Sequence, residues 1–157
     1  MAPTLRGGHD QRVGHSLPAR LAHPCRTGPI TAVIWYGPSD LTSSRGRYDP
    51  QSSTTPEALL VGESPAAAAE GAQAASPLAH AHPGAPPFLL IHSEEDTLVP
   101  SSRSQDLATR LNEMGAPVQL RTVRGADHGW YGLTGAQVED IFEHSLQFVR
   151  LSTQRSD

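Results

Sequence analysis

Phe88-Leu-Leu-Ile-His-Ser93 is the stretch on which the fold turns. Pro86-Pro87 introduces it, a polar loop follows it, and between them the apolar run has no alternation. That is the pattern of a strand buried on both faces, as in parallel sheets covered by helices on each side. Val118-Gln-Leu-Arg-Thr-Val123 reads as another strand, with partial alternation. Between the two, Leu107, Ala108, Leu111 and Met114 recur at helical spacing. Ser102-x-x-Gln105 has the form of a capping box, and Gly115 with Pro117 supplies the stop. Strand, helix and strand within residues 88–123 make a βαβ unit.

Working outward, Ile30-Thr-Ala-Val-Ile-Trp-Tyr-Gly37 is a further short apolar run, rich in β-branched and aromatic residues and ended by Gly37-Pro38. It is expected to be a strand buried on both faces. Downstream, Thr134-x-x-Gln137 has the form of a capping box, and Val138, Ile141, Phe142, Leu146 and Val149 mark the apolar stripe of an amphipathic helix. Residues 38–87 are rich in Ser, Pro and Ala, with short helices expected at Pro56–Leu60 and Ala66–Ala75. Residues 1–29 show no sustained period and read as an irregular segment. The α/β unit is expected over 30–150, with a tail at 151–157. The fold class is thus α/β, a partial parallel sheet flanked by helices.

Composition narrows the function. The 157 residues carry 12 basic and 16 acidic groups, a formal charge of −4, and no basic run. Nucleic acid is therefore not an expected partner. Every basic residue is Arg, which excludes lysine chemistry such as a Schiff base. The single cysteine, Cys25, can form neither an internal disulfide nor a cysteine zinc cluster. Ala32–Tyr36 is the longest apolar stretch, far short of the ~20 residues that span a bilayer. Residues 1–29 hold Arg6, Arg12, Arg20 and Arg26 without an apolar core, so they do not read as a secretory signal. No membrane association and a cytoplasmic location are expected.

In a parallel sheet, ligands bind where loops leave the carboxyl ends of the strands. Two polar loops fall there: Ser93-Glu-Glu-Asp-Thr-Leu-Val-Pro100 and Arg124-Gly-Ala-Asp-His-Gly-Trp130. If their strands are neighbours, Asp96 and His128 face each other across one strand spacing, about 4.8 Å. A carboxylate against an imidazole fixes its tautomer and steadies the imidazolium formed when it takes a proton from a nucleophile. On loop positions alone, the alternative is a loop histidine beside a solvated acidic turn.

His92-Ser-Glu-Glu-Asp-Thr-Leu-Val-Pro100, followed by Gly125-Ala-Asp-His-Gly129, resembles the carboxyl-terminal half of an α/β-hydrolase. The resemblance is to the esterase/lipase and prolyl-oligopeptidase-like group that includes feruloyl-esterase-type domains. Trp35-Tyr-Gly-Pro-Ser-Asp-Leu41 resembles the strand end and loop after the nucleophile helix in that group. The resemblance implies His128 as catalytic base and Asp96 as its orienting acid, with Glu94, Glu95 and Asp127 structural. It also implies a small-molecule ester as substrate, with neither cofactor nor metal.

The family's nucleophile is a serine in a Gly-x-Ser-x-Gly elbow, in the order Ser, Asp, His. The closest approach is Gly14-His15-Ser16-Leu17-Pro18, with Pro18 where the second glycine belongs and the polar run Arg6–Val13 where a strand should feed it. Ser16 is the nucleophile candidate. Cys25 reads as an ordinary thiol, Ser64 lies in the wrong order, and His80-x-His82 lacks a third ligand at regular spacing. Two functions follow: serine-type hydrolysis of a carboxylic ester by a truncated hydrolase, or a catalytically inactive remnant acting by protein interaction. Because of Pro18, little or no turnover of short nitrophenyl esters and no fluorophosphonate labelling are expected. The open edge of the strand at 30–37 is expected to favour a homo-oligomer.

Overall fold

The computed structural model describes residues 31–43 and 49–154. Its elements are β1 (Ala32–Trp35), α1 (Pro56–Val61), α2 (Ala69–Ala74), β2 (Phe88–Ser93), α3 (Ser102–Glu113), β3 (Val118–Val123) and α4 (Gly135–Gln154). Single 3₁₀ turns form at Pro77–His80 and His128–Trp130. The sheet runs β1-β2-β3 and is parallel throughout, with Ala32 opposite Phe88 and Phe88 opposite Val118. Both strands of the βαβ unit and the upstream strand therefore stand where the apolar runs put them.

β2 explains the layering. Leu89 and Ile91 point to one face, where they pack with Trp130, Ile141 and Phe148 beneath α4. Leu90 points to the other, against Leu107, Ala108 and Leu111 of α3. All three β2 residues are fully buried, which costs a continuous apolar run nothing and stabilises each large side chain by about 1.5–3 kcal/mol.

The helix stops are legible chemistry. α3 ends at Met114 and Gly115, whose φ of +73° suits the left-handed position. Gly115 N–H donates to the Asn112 carbonyl and Ala116 N–H to that of Leu111, both at 2.9 Å, which is the Schellman pairing. α1 starts with Thr55 Oγ1 accepting from Ala58 N and ends at left-handed Gly62.

Four expectations need correction. β1 is half-buried along its length rather than buried on both faces, because among the described residues only β2 pairs with it. The buried line of α4 is Ile141, Ser145 and Phe148, with Val138 packed alongside. Phe142 and Val149, one residue beyond that line, turn outward at 50% and 37% exposure. The Ser102 box does not form, since the chain enters α3 at Ser101 with no side-chain cap. In the alanine-rich stretch only Ala69–Ala74 is helical, with a turn before it. The Thr134–Gln137 box does form, Thr134 N donating to Gln137 Oε1 at 2.9 Å. α4 continues to Gln154, carrying the first residues of the 151–157 segment as helix.

Candidate active site

The β2–α3 and β3–α4 loops leave the carboxyl edge side by side and are fastened to each other. Ser93 Oγ donates to the Ala126 carbonyl. Glu95 Oε2 accepts from Gly125 N at 3.0 Å, and Asp127 Oδ1 accepts from Thr97 N at 2.8 Å. Glu94 pairs with Arg124 at 3.0 Å on the surface. Glu94, Glu95 and Asp127 thus serve the loops themselves.

Asp96 is spared for a different task. Its Oδ1 accepts from Leu98 N (2.9 Å) and Val99 N (2.8 Å), so the carboxylate folds its own loop around itself. Its Oδ2 accepts from His128 Nδ1 at 2.9 Å, and the Asp96 side chain is fully shielded from solvent. An ionised carboxylate can only accept, so the proton sits on Nδ1 and Nε2 is the basic nitrogen. Among the described residues Nε2 has no hydrogen-bond partner, and the ring is about one-third exposed.

The His128 ring is braced by Tyr36, whose centroid lies 4.6 Å away. Tyr36 sits just past β1 with φ of +43°, and its ring also packs on Trp130 at 5.0 Å. A positive φ in a bulky residue is strained, and here the strain is repaid by placing one aromatic against two loop residues. Gly129 and Gly132, with φ of +73° and +100°, let the chain reverse around Trp130.

His92 was absent from the sequence-derived site. It is fully buried and lies 3.4 Å from Asp96 Oδ2 through Nε2. Burial pushes its pKa below the ordinary 6.5 despite the opposing Val99 carbonyl and Asp96 carboxylate. The signal was present: a polar residue closing an otherwise apolar strand, four positions before the acid.

Beside His128 opens a cleft of about 440 Å³, walled by Trp35, Tyr36, Leu41, Leu98 and Val99. On its polar side Arg103, 2% exposed, bonds the Ser43 carbonyl (2.6 Å) and stands 3.4 Å from Asp40. Partial burial would raise the Asp40 pKa, but hydrogen bonds from Ser43 and Thr42 and the Arg103 charge outweigh it and hold the carboxyl low.

Ser16 and Cys25 lie outside the described residues. Ser64 is not a cleft residue; its carbonyl accepts from Ala67 N and Ala68 N. His80 and His82 are exposed and engage backbone atoms of Ala74 and Gly84. Among the described residues no group of three His, Cys, Asp or Glu could hold a metal, and no helix is long and apolar enough to cross a membrane.

The family model of BD-FAE matches residues 13–111, a span that takes in Ser16 and Asp96. A stretch of 44 residues is 43% identical to esterase LipQ of Mycobacterium tuberculosis, covering 28% of this chain and 10% of that one. A truncated carbohydrate esterase from gut microbiota superposes with a TM-score of 0.65 at 27% identity, over 78% of this chain and 42% of that one. A bifunctional GH43-CE protein of Bacteroides eggerthii gives 0.59 at 25%, over 74% and 16%. A thermophilic esterase of Thermogutta terrifontis gives 0.56 at 20%, over 78% and 42%, a likeness of fold. The chain spans less than half the length of each of these relatives.

Proposed function

Because the chain belongs to the BD-FAE family, we propose that it carries the base and the orienting acid of a serine-type hydrolase acting on small carboxylic esters. The observation that supports this is the 2.9 Å hydrogen bond from His128 Nδ1 to a buried Asp96 oxygen, with Nε2 unpartnered among the described residues. In the reaction, Nε2 takes the proton of a serine hydroxyl as it attacks the ester carbonyl. It then returns the proton to the leaving alcohol, while Asp96 stabilises the imidazolium. Backbone N–H groups beside the serine would hold the oxyanion. The apolar cleft suits an uncharged acyl or alkyl group. Ser16 is the proposed nucleophile: it precedes Asp96 and His128 in the family order and lies within the matched span. Residues 30–150 are proposed as the hydrolase portion; the 1–29 segment, expected to be irregular, lies outside the described residues.

A second reading, an inactive remnant, is favoured by Pro18, which replaces the glycine that lets an elbow turn sharply. One experiment separates the two. The native chain is expected to turn over short nitrophenyl esters little or not at all. Pro18→Gly is expected to gain fluorophosphonate labelling at Ser16 that disappears in Ser16→Ala and in His128→Ala. No gain in Pro18→Gly, with the Asp96–His128 bond intact, supports the remnant; labelling that survives His128→Ala refutes the base assignment.

A further inference from the structure

The β2 face that meets α3 is apolar at Leu90 and then ends in His92, an imidazole with no exposed surface. Burying it unpaired would be costly, and both ring nitrogens are paired. Nε2 lies 2.8 Å from the Val99 carbonyl and Nδ1 lies 2.7 Å from Ser104 Oγ. The carbonyl can only accept, so Nε2 carries the proton. In the neutral ring Nδ1 then accepts from the serine hydroxyl. The Val99 carbonyl thus sets the tautomer of His92, and Ser104, itself 2% exposed on α3, anchors the ring from the other side.

The same Nε2 stands 3.4 Å from Asp96 Oδ2, the oxygen that takes the His128 proton. One carboxylate oxygen is thus flanked by two imidazoles. Val99, whose carbonyl His92 holds, also donates its N–H to Asp96 Oδ1 at 2.8 Å. His92 therefore holds the residue that closes the turn around the carboxylate and stands beside the carboxylate itself. An apolar residue of equal size would fill the space, orphan the Val99 carbonyl, and loosen the turn through which Val99 N holds Asp96 Oδ1.

We propose that His92, oriented by Ser104, is a positioning residue that aims Asp96 Oδ2 at His128. The inference rests on reading Asp96 and His128 as an acid–base pair. It adds the line Ser104–His92–Asp96–His128, which ties the pair to α3 rather than to the two loops alone. His92 touches no substrate and transfers no proton; its work is geometric.

The test uses the full chain with ¹⁵N-labelled histidine and reads the hydrogen-bonded Nδ1 proton of His128 by NMR. His92→Gln keeps an N–H donor at the same depth and is expected to retain that signal. His92→Phe removes the donor and is expected to lose it. Ser104→Ala removes the hydroxyl that anchors Nδ1 of His92, and the His128 signal is expected to exchange about tenfold faster. A folded His92→Phe protein with an unchanged signal overturns the proposal. Where His92→Phe does not fold, loss in His92→Gln together with no change in Ser104→Ala overturns it, because a purely structural role predicts that pattern. Fluorophosphonate labelling of Ser16 in the Pro18→Gly background is measured alongside. Signals that respond as expected without labelling there sink the hydrolase reading and leave the coupling standing, whereas labelling with unresponsive signals sinks the coupling.

Discussion

Replacing Asp96 separates its two duties. In Asp96→Asn the carbonyl oxygen can keep the Oδ1 bonds to Leu98 N and Val99 N. The amide nitrogen is then left facing His128 Nδ1, donor against donor. The ring must shift its proton to Nε2, and the base is lost; the same exchange in a serine protease lowers kcat about 10⁴-fold. Asp96→Ala removes all three acceptor contacts. Hydrogen bonds to a charged group are worth about 1.5–3 kcal/mol each, and relief of the buried charge offsets part of that. Asparagine is therefore expected to cost about 1–2 kcal/mol and alanine about 3–4 kcal/mol. At about 2–4 °C per kcal/mol for a chain of this size, the Tm falls by roughly 2–8 °C in the first case and roughly 6–16 °C in the second. Thermal melts by circular dichroism give the ordering, and ¹⁵N shifts of the His128 ring give the tautomer. Equal melting of the two variants would show that Oδ1 does not fold the loop. An unshifted tautomer in Asp96→Asn would show that Asp96 does not set the proton position.

Stability is expected to fall as the pH drops below about 6.5, because the pKa of buried His92 is lower in the folded state than its ordinary 6.5. The unfolded chain then binds the extra proton, and protonation in place would set a cation among Asp96, His128 and Ser104. Urea melts at about pH 7.5 and about pH 5 test this: His92→Gln should narrow the difference, and an equal difference in both proteins refutes it. A second loss is expected below pH 3.8, where Asp40 gives up a carboxylate whose pKa is depressed in the fold. Gly132→Ala is expected to cost about 2–4 kcal/mol, since φ is +100° and the new Cβ would stand 2.6 Å from the Gly125 carbonyl oxygen; an unchanged Tm counts against the turn geometry. The chain is expected to self-associate in sedimentation velocity through the β1 edge, and Phe142→Glu, beside Trp35 on that flank, should weaken it. A monomer at every concentration would refute the edge argument.

How much was legible depended on the kind of information each residue carries. β2 was plain because burial on both faces leaves an unbroken apolar run, and Gly115 announced a helix stop through its own φ. The pairing of Asp96 with His128 was legible for a related reason: strand ends in a parallel sheet are register-locked neighbours, so loop position nearly determines contact. The half-burial of β1 was not legible, since it depends on whether a neighbour strand exists, not on the strand's own residues. Nor was the outward turn of Phe142, because a stripe at helical spacing defines a face only to within one residue. His92 was hidden by its surroundings, a polar side chain read as part of the run that buries it.

The carboxyl-edge site is a property of the β2–β3 unit, and that has a consequence for the two functional readings. Ser93 to Ala126, Gly125 to Glu95 and Thr97 to Asp127 join the loops without involving any residue before β2. His92 and Ser104 add a fastening from α3. Tyr36, just past the upstream strand, braces the ring but makes none of these bonds. An acid–base pair built this way keeps its geometry whether or not a serine is presented to it. A well-formed His128–Asp96 pair is therefore not by itself a sign of catalysis, and the activity proposed above would turn on the chemistry around Ser16.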